Sequence, residues 1–321
     1  MKTCLLLTEQ FEPTADLLVA EMRRRGMSCV RWNLDQFPVG STLTYFASND
    51  TFSTLIDTDG RTVDLDRVGS IWCRGVRALG FPADLADADR RFAEAESERM
   101  LTSFMTVAKA RWINHPHSHM LANAKPTQLA IARTVGLDIP PTLISNDPVR
   151  VREFIAGTKQ QTVYKTLTQS LHTEPGQALF TSIVTEQAAA NLDLIGTTPG
   201  IFQHLVPKAY ELRVTVVGMR IFCARIDSQS RAETTIDWRR LPFEVDAAHD
   251  LPSEISAKIN ALMQALGLFY GAFDFIVTPD GRYVFLEVNP AGHYMWIESK
   301  LGLPITAALA DALSEPCREP G

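Results

Sequence analysis

The feature that most constrains this chain is a pair of apolar runs carrying polar side chains where burial should exclude them. Phe269–Val277 and Arg282–Val288 flank Thr278-Pro279-Asp280-Gly281, a strong turn sequence, and read as a β-hairpin. Phe, Ile, Val and Leu dominate both runs, which places them in a core. Yet Asp274 and Glu287 sit inside them, and Asn289 follows directly. Burying a carboxylate is costly unless it is paired or bound to a metal. Side chains alternate with period two along a strand, so the turn decides where Asp274 points. An even turn of two or four residues puts Asp274 opposite Phe285, on the face shared with Glu287 and Asn289. A three-residue bulged loop puts it on the other face. When the three converge, they offer oxygen ligands only, which suits a hard cation such as Mg²⁺. The hairpin holds no His or Cys, which argues against zinc. The plainer alternative is two edge-strand carboxylates facing water.

Ahead of the hairpin, residues 1–114 alternate strand and helix signals. Thr3–Thr8 is an apolar strand. Pro13 opens an amphipathic helix to Arg25 that Gly26 closes. Ser28–Trp32 is the next strand, so the three form a βαβ unit and imply a parallel sheet. Leu43–Asp57 and Arg61–Asp64 are β-rich, with Asp59-Gly60 as a hairpin turn. Ser70–Cys73 is a strand, Leu85–Ala110 a long helix, and Arg111–Asn114 a strand that ends the first lobe. In residues 115–200, Ala124–Val135 is a helix, and Asp147-Pro148 caps another to Ala156. Thr142–Ser145, Thr162–Leu167 and Ala178–Val184 are extended, with a polar loop Thr168–Gln177. Residues 201–321 are antiparallel in character: Glu211–Val217, Arg220–Asp227 and the hairpin, with helices Pro252–Leu266 and Pro304–Leu313. The fold class is therefore α/β with α+β lobes.

Composition narrows the function. A chain of 321 residues suggests two or three lobes. Its net charge of −6 supplies no bulk field for nucleic acid. No apolar run approaches a membrane span, and the Cys4–Leu7 stretch is too short for a signal peptide. The five cysteines form no CxxC pair and read as reduced thiols of a cytoplasmic protein. There is no GxxxxGK[ST] phosphate loop. Two lysines remain candidates for holding phosphates. Lys125 opens a helix, although a solvated helix-end lysine is the commoner case. Lys165 lies inside the apolar strand Val163-Tyr164-Lys165-Thr166, where an unpaired ammonium is costly.

Asp274, with Glu287 and Asn289 at the spacings 287 − 274 = 13 and 289 − 274 = 15, resembles the metal site of the ATP-grasp ligases. Four segments in order sharpen this: Glu211–Gly218, Ile226-Asp227-Ser228-Gln229, Asp237-Trp238-Arg239 and Phe285–Pro290. They resemble the graspetide ligases, the microviridin-type subgroup that matures ribosomally made peptides. The likeness covers the last two thirds of the chain; the first 110 residues agree only in pattern. It implies an ATP-grasp fold with an N-terminal, Rossmann-like pre-ATP-grasp domain over 1–114. A central and lid subdomain over 115–200 and a metal-bearing C-terminal subdomain over 201–321 follow. By the same resemblance, Asp274, Glu287 and Asn289 hold two Mg²⁺ ions against ATP. Lys125 and Lys165 contact its phosphates. Gln203-His204-Leu205-Val206 is the hinge reading adenine, with Gln203 and Lys208 at its ends. Glu211 lies near the ribose, Arg213 reaches the γ-phosphate, and Thr166–Gly176 is the phosphate lid.

The implied chemistry is carboxylate activation as an acylphosphate, then attack by a nucleophile. In this subgroup the carboxylate is an Asp or Glu side chain of a precursor peptide. A Ser or Thr hydroxyl or a Lys amine attacks it, giving a macrocyclic ester or amide. Arg239 and Arg240 would hold the peptide carboxylate, or form a plain surface pair. A leader segment of the precursor docks on the enzyme, and the resemblance admits a homodimer. A second reading is an amino-acid or glutamate ligase acting on a small molecule or a protein C-terminus. A third is a catalytically idle nucleotide-binding module.

Some residues stand outside this scheme. His115-Pro116-His117-Ser118-His119 has a metal-like spacing, but Pro116 and an expected loop oppose convergence. Arg74, after the strand end at Cys73, is a candidate for the lobe interface. His293 follows the metal hairpin closely, and the aromatics of Gly292–Trp296 suit packing.

Overall fold

Leu5, Leu6 and Leu7 are all fully buried, so their strand is covered on both faces, as a parallel sheet with crossover helices requires. The structure, a computed structural model, describes residues 2–74, 79–168, 180–240 and 245–315. In chain order the first lobe contains β1 (Thr3–Thr8), α1 (Pro13–Arg24), β2 (Cys29–Asn33), β3 (Thr42–Ala47), β4 (Phe52–Thr58), β5 (Arg61–Asp64), β6 (Val68–Cys73), α2 (Asp87–Val107), β7 (Arg111–Ile113) and α3 (Pro116–Asn123). The expected parallel sheet forms in the order β2-β1-β6-β7. A small three-stranded antiparallel sheet, β3-β4-β5, turns at Asp59 and Gly60, both with positive φ as a two-residue hairpin demands. The histidine segment departs from expectation. It opens helix α3 rather than a loop, because Pro116 suits the first helical turn and His115 caps it, its Nδ1 accepting from the His117 amide at 3.2 Å. No cluster of three or more His, Cys, Asp or Glu among the described residues has the geometry to hold a metal.

The second stretch contains α4 (Lys125–Thr134), β8 (Thr142–Ser145), α5 (Pro148–Ala156), β9 (Thr162–Lys165), β10 (Ser182–Ile183), α6 (Glu186–Ala190) and β11 (Gly200–His204). Its strands form the second four-stranded sheet, antiparallel in the order β10-β9-β11-β8, over a small core of Val151, Leu192 and Phe202. Asp147 caps α5 as expected, accepting from the Val149 and Arg150 amides. Most of the expected lid lies outside the described residues, which stop at Thr168 and resume at Phe180.

The third lobe contains β12 (Tyr210–Val217), β13 (Arg220–Ile226), β14 (Ala247–Ala248), α7 (Ser253–Ala265), β15 (Tyr270–Val277), β16 (Tyr283–Asn289), α8 (Met295–Leu301) and α9 (Ile305–Ser314). The strands form an antiparallel sheet in the order β14-β13-β12-β15-β16. One face buries Leu212, Val214, Phe273, Phe275, Phe285 and Val288 against Ile259, Leu262 and Met263 of α7. Helix α4 also packs here through Ala132, although it precedes the second sheet in sequence. Helix α9 joins the outer lobes. Its Leu309 and Leu313 share a core with Cys4, Leu6 and Trp72, and Ser70 Oγ donates to Leu313 O at 2.8 Å. Each such leucine contributes about 1.5–3 kcal/mol on burial. Among the described residues no helix is long and apolar enough to cross a membrane.

Candidate active site

The hairpin that opened the sequence argument pairs in neither of the two expected ways. From the turn the register runs Val277↔Tyr283, Ile276↔Val284 and Phe275↔Phe285, then shifts, so that Asp274 pairs with Glu287 and Ala272 with Asn289. Asp274 is therefore not opposite Phe285. Leu286 is an extra residue in β16, a β-bulge, and the bulge restores the carboxylate face that an odd turn would have lost. Phe285 and Val288 point into the core, while Leu286 and Glu287 both line a cleft between this sheet and the second sheet.

Across the sheet, one rung aligns Ala224, Arg213, Asp274 and Glu287 on β13, β12, β15 and β16. Arg213 Nη1 donates to both Asp274 oxygens at 3.0 Å. Lys125, from the start of α4, forms an ion pair with Glu287 Oε2. The environments push the two facing carboxyls apart. For Asp274, burial raises the pKa in spite of Arg213. For Glu287, burial also works against ionisation, but Lys125, with Arg239 and Lys165 nearby, outweighs it and holds the group at about 2. Asn289 lies on the same strand face, and its Oδ1 accepts from the Ala291 amide at 2.9 Å. Asp274, Glu287 and Asn289 together offer side-chain oxygens, a set that fits a hard divalent cation.

The opposite wall comes from the second sheet. Lys165 Nζ donates to Gln203 Oε1 at 2.7 Å, and Gln203 Nε2 donates to Thr142 Oγ1 at 2.9 Å. Burial lowers the Lys165 pKa, and Glu287 across the cleft opposes that. His204 stacks on Phe154 with ring centroids 4.4 Å apart. The amides of His204 and Leu205 donate to Pro141 O and Gln161 O. The Val206 amide has no backbone partner among the described residues and lies where Leu205 and Val206 line the cleft. Lys208 Nζ donates to Glu211 Oε1 at 2.8 Å and to Ile236 O at 3.1 Å, and burial raises Glu211 in spite of that lysine.

The expected residues line this cleft except Arg213, which touches it only through Asp274; Asn289, two residues along β16 from Glu287; and Arg240. Arg239 also lines it, held by a bidentate pair to Asp237 at 2.9 and 2.6 Å. Arg240 diverges from it, its guanidinium lying 5.8 Å from the Phe180 ring centroid. Two contributors carried no assigned role in the sequence. Asp237 Oδ2 accepts from the Thr181 amide at 3.0 Å, joining the third lobe to the second sheet. Gln128, one turn after Lys125, satisfies both backbone groups of Val288, donating to its carbonyl at 2.8 Å and accepting from its amide at 3.0 Å. A glutamine facing the free edge of a strand leaves no motif; only its place one turn from Lys125 on α4 is visible in sequence.

Comparison with known proteins decides the family. A model for the MvdD pre-ATP grasp domain matches residues 3–120. The macrocyclase MdnC of Microcystis aeruginosa MRC, solved with its precursor peptide MdnA, is 31% identical with a TM-score of 0.87, covering 97% of this chain and 99% of that one. The chain belongs to the peptide-macrocyclising ATP-grasp ligases. A second macrocyclase of that organism, MdnB, is 31% identical with a TM-score of 0.82, over 98% and 99% of the two chains. A RiPP-associated ATP-grasp ligase of Chryseobacterium gregarium, solved with ADP and a leader and core peptide, is 28% identical with a TM-score of 0.90, over 98% and 96%. None of the curated proteins matches. The expected ATP-grasp fold with its pre-ATP-grasp domain is thus present, and this ligase is an ATP-dependent enzyme.

Proposed function

We propose that this ligase activates Asp or Glu side chains of a ribosomal precursor peptide as acylphosphates and links them to Ser or Thr hydroxyls or Lys amines, closing macrocyclic esters or amides. The carrying observation is the convergence of Lys125, Lys165 and Arg239 on a cleft whose floor pairs Asp274 with Glu287. Cations facing a carboxylate pair suit phosphoryl transfer, in which positioning and charge neutralisation supply most of the catalysis.

In this reading the Val206 amide and the Gln203–Val206 run take the adenine edge, and Glu211 with Lys208 lies toward the ribose. Lys125 and Lys165 hold phosphate oxygens. Arg213, whose Nε is buried without a hydrogen-bond partner, has a donor left for the γ-phosphate. Asp274, Glu287 and Asn289 would hold two Mg²⁺ ions, which neutralise phosphate charge when bound. Lys125 then exchanges Glu287 for phosphate. Arg239, fixed by Asp237, orients the peptide carboxylate for attack on the γ-phosphorus, which breaks the bond to the β-phosphate oxygen and releases ADP. The hydroxyl or amine next bonds to the acyl carbon, and inorganic phosphate leaves together with the nucleophile's proton. Residues 1–114, 115–200 and 201–321 act as pre-ATP-grasp domain, central and lid subdomain, and metal-bearing subdomain, in the cytoplasm.

The test is incubation with ATP, Mg²⁺ and a precursor peptide containing acidic and hydroxyl or amine residues. The expected result is ADP formation together with loss of one water per crosslink by mass spectrometry. Gain of an amino-acid residue without water loss from the unmodified peptide would overturn the macrocyclase reading.

A further inference from the structure

Arg74 directly follows β6 of the first lobe and is only 6% exposed. Its amide donates to Leu7 O at 2.9 Å, which fixes it at the carboxyl end of the parallel sheet. Its side chain leaves that lobe altogether. Nη1 donates to Ala291 O, and Nη2 lies 2.6 Å from Nδ1 of His293. Glu12 balances the charge, with Oε1 3.4 Å from Arg74 Nε, while its Oε2 caps α1 by accepting from the Ala15 amide at 2.6 Å.

The turn that Arg74 grips is the one that follows the carboxylate hairpin. Inside it, the Ala291 amide donates to Asn289 Oδ1 at 2.9 Å. Gly292 packs flat against the phosphate-facing arginine, since a Cβ there would lie 2.6 Å from Arg213 Nη2 and 2.4 Å from Ala272 Cβ. A shift of the Ala291 peptide therefore moves the Asn289 side chain and the space around Arg213 together. Joining the lobes does not call for a buried arginine. Helix α9 already does so by apolar packing, and apolar contacts commonly match or exceed the stability of a buried ion pair.

We propose that Arg74 is a positioning residue for the metal and phosphate end of the site, acting through Ala291 on Asn289 and Arg213. The inference rests on the ligase reading above for what that end binds. Outer residues of this kind typically change metal affinity about 10–100-fold.

The test uses the full chain and ADP, so it needs no peptide. Calorimetry measures ADP binding as a function of Mg²⁺ for the wild type, R74Q and E12Q/R74Q. The double variant removes both buried charges and keeps an oxygen acceptor to cap α1, so it serves where R74Q fails to fold. The Mg²⁺ concentration for half-maximal ADP binding is expected to rise about 10-fold or more, with metal-free ADP binding unchanged. R74K, which keeps one donor for Ala291 O, is expected to fall between. Unchanged Mg²⁺ dependence in a folded variant overturns the inference, as does equal weakening with and without Mg²⁺, which marks a merely structural role. A wild-type chain that binds no ADP at any Mg²⁺ concentration removes the ligase reading as well.

Discussion

Asp274 and Glu287 face each other directly across β15 and β16 because Leu286 is one residue more than regular pairing needs. Continuing the pairing outward from Phe275↔Phe285 without a shift would set Asp274 against Leu286. Asp274 would then share its rung with an apolar side chain, and Glu287 would turn toward the core. A single inserted residue thus converts an apolar rung into a pair of facing carboxylates, and the local twist of a bulge aims both into the cleft.

Deletion of Leu286 would leave Asp274 opposite Glu287 and remove only the local twist of the bulge. The charge of Glu287 is therefore the point to test, and E287Q tests it without changing the register. It keeps the side chain's shape and removes the charge that faces Lys125. ATP-dependent peptide modification is expected to fall at least about 100-fold, the scale for losing one preorganised electrostatic contact. Far-UV circular dichroism should be unchanged. Wild-type activity in E287Q would remove Glu287 from the metal site.

The Arg213–Asp274 pair lends itself to a double-variant cycle. R213M leaves a buried Asp274 without its partner, and breaking such a pair costs about 3–5 kcal/mol. R213M/D274L replaces both charges with apolar groups and should recover most of that loss in thermal unfolding, while remaining inactive. Full activity in the double variant would show that the pair serves stability alone.

Much of this site was legible because burial makes charge conspicuous. Asp274, Glu287 and Lys165 stood out as ionisable groups inside apolar strands, and each lines the cleft. The strands themselves followed from alternation and turn residues, and Thr3–Thr8 has the bounds expected of it. The register did not follow, because a bulge is a backbone event that no side-chain pattern announces. Helix α3 was hidden by three histidines and a proline, residues that usually read as loop unless the proline is placed in a first turn. Asp237 and Gln128 were silent for a related reason. The Thr181 amide that Asp237 binds and the Val288 backbone groups that Gln128 binds are brought near by tertiary structure, and the local Asp237–Arg239 pair forms no motif.

Gln128 carries a prediction of its own. β16 is the edge strand of its sheet, and Gln128 supplies the hydrogen bonds that a neighbouring strand would otherwise make to Val288. Q128L leaves that amide and carbonyl buried and unpaired, at a cost of about 1–3 kcal/mol for each. Because Val288 lies between Glu287 and Asn289, activity should fall along with the melting temperature. Q128E keeps the acceptor for the Val288 amide and loses the donor, so it should lie between. A Q128L chain as stable as the wild type would show that water replaces the glutamine.

Asp237 should make the junction between the third lobe and the second sheet sensitive to acid. Burial alone would raise its pKa, but the bidentate bond from Arg239 and the amides of Thr181 and Arg239 outweigh that and hold the carboxyl well below its usual range. Because the folded value is depressed, the stabilisation is fully present above the unfolded value near ~4 and is lost as pH falls from there toward the folded value. Thermal unfolding followed from neutral pH down to about pH 3 should show the wild type losing stability faster than D237N below pH ~4. At neutral pH the order is reversed in size: D237N should already be the less stable protein, because its amide cannot pair with the Arg239 guanidinium. Parallel stability curves for the two proteins across this range would show that the Asp237–Arg239 pair contributes nothing to holding the junction together.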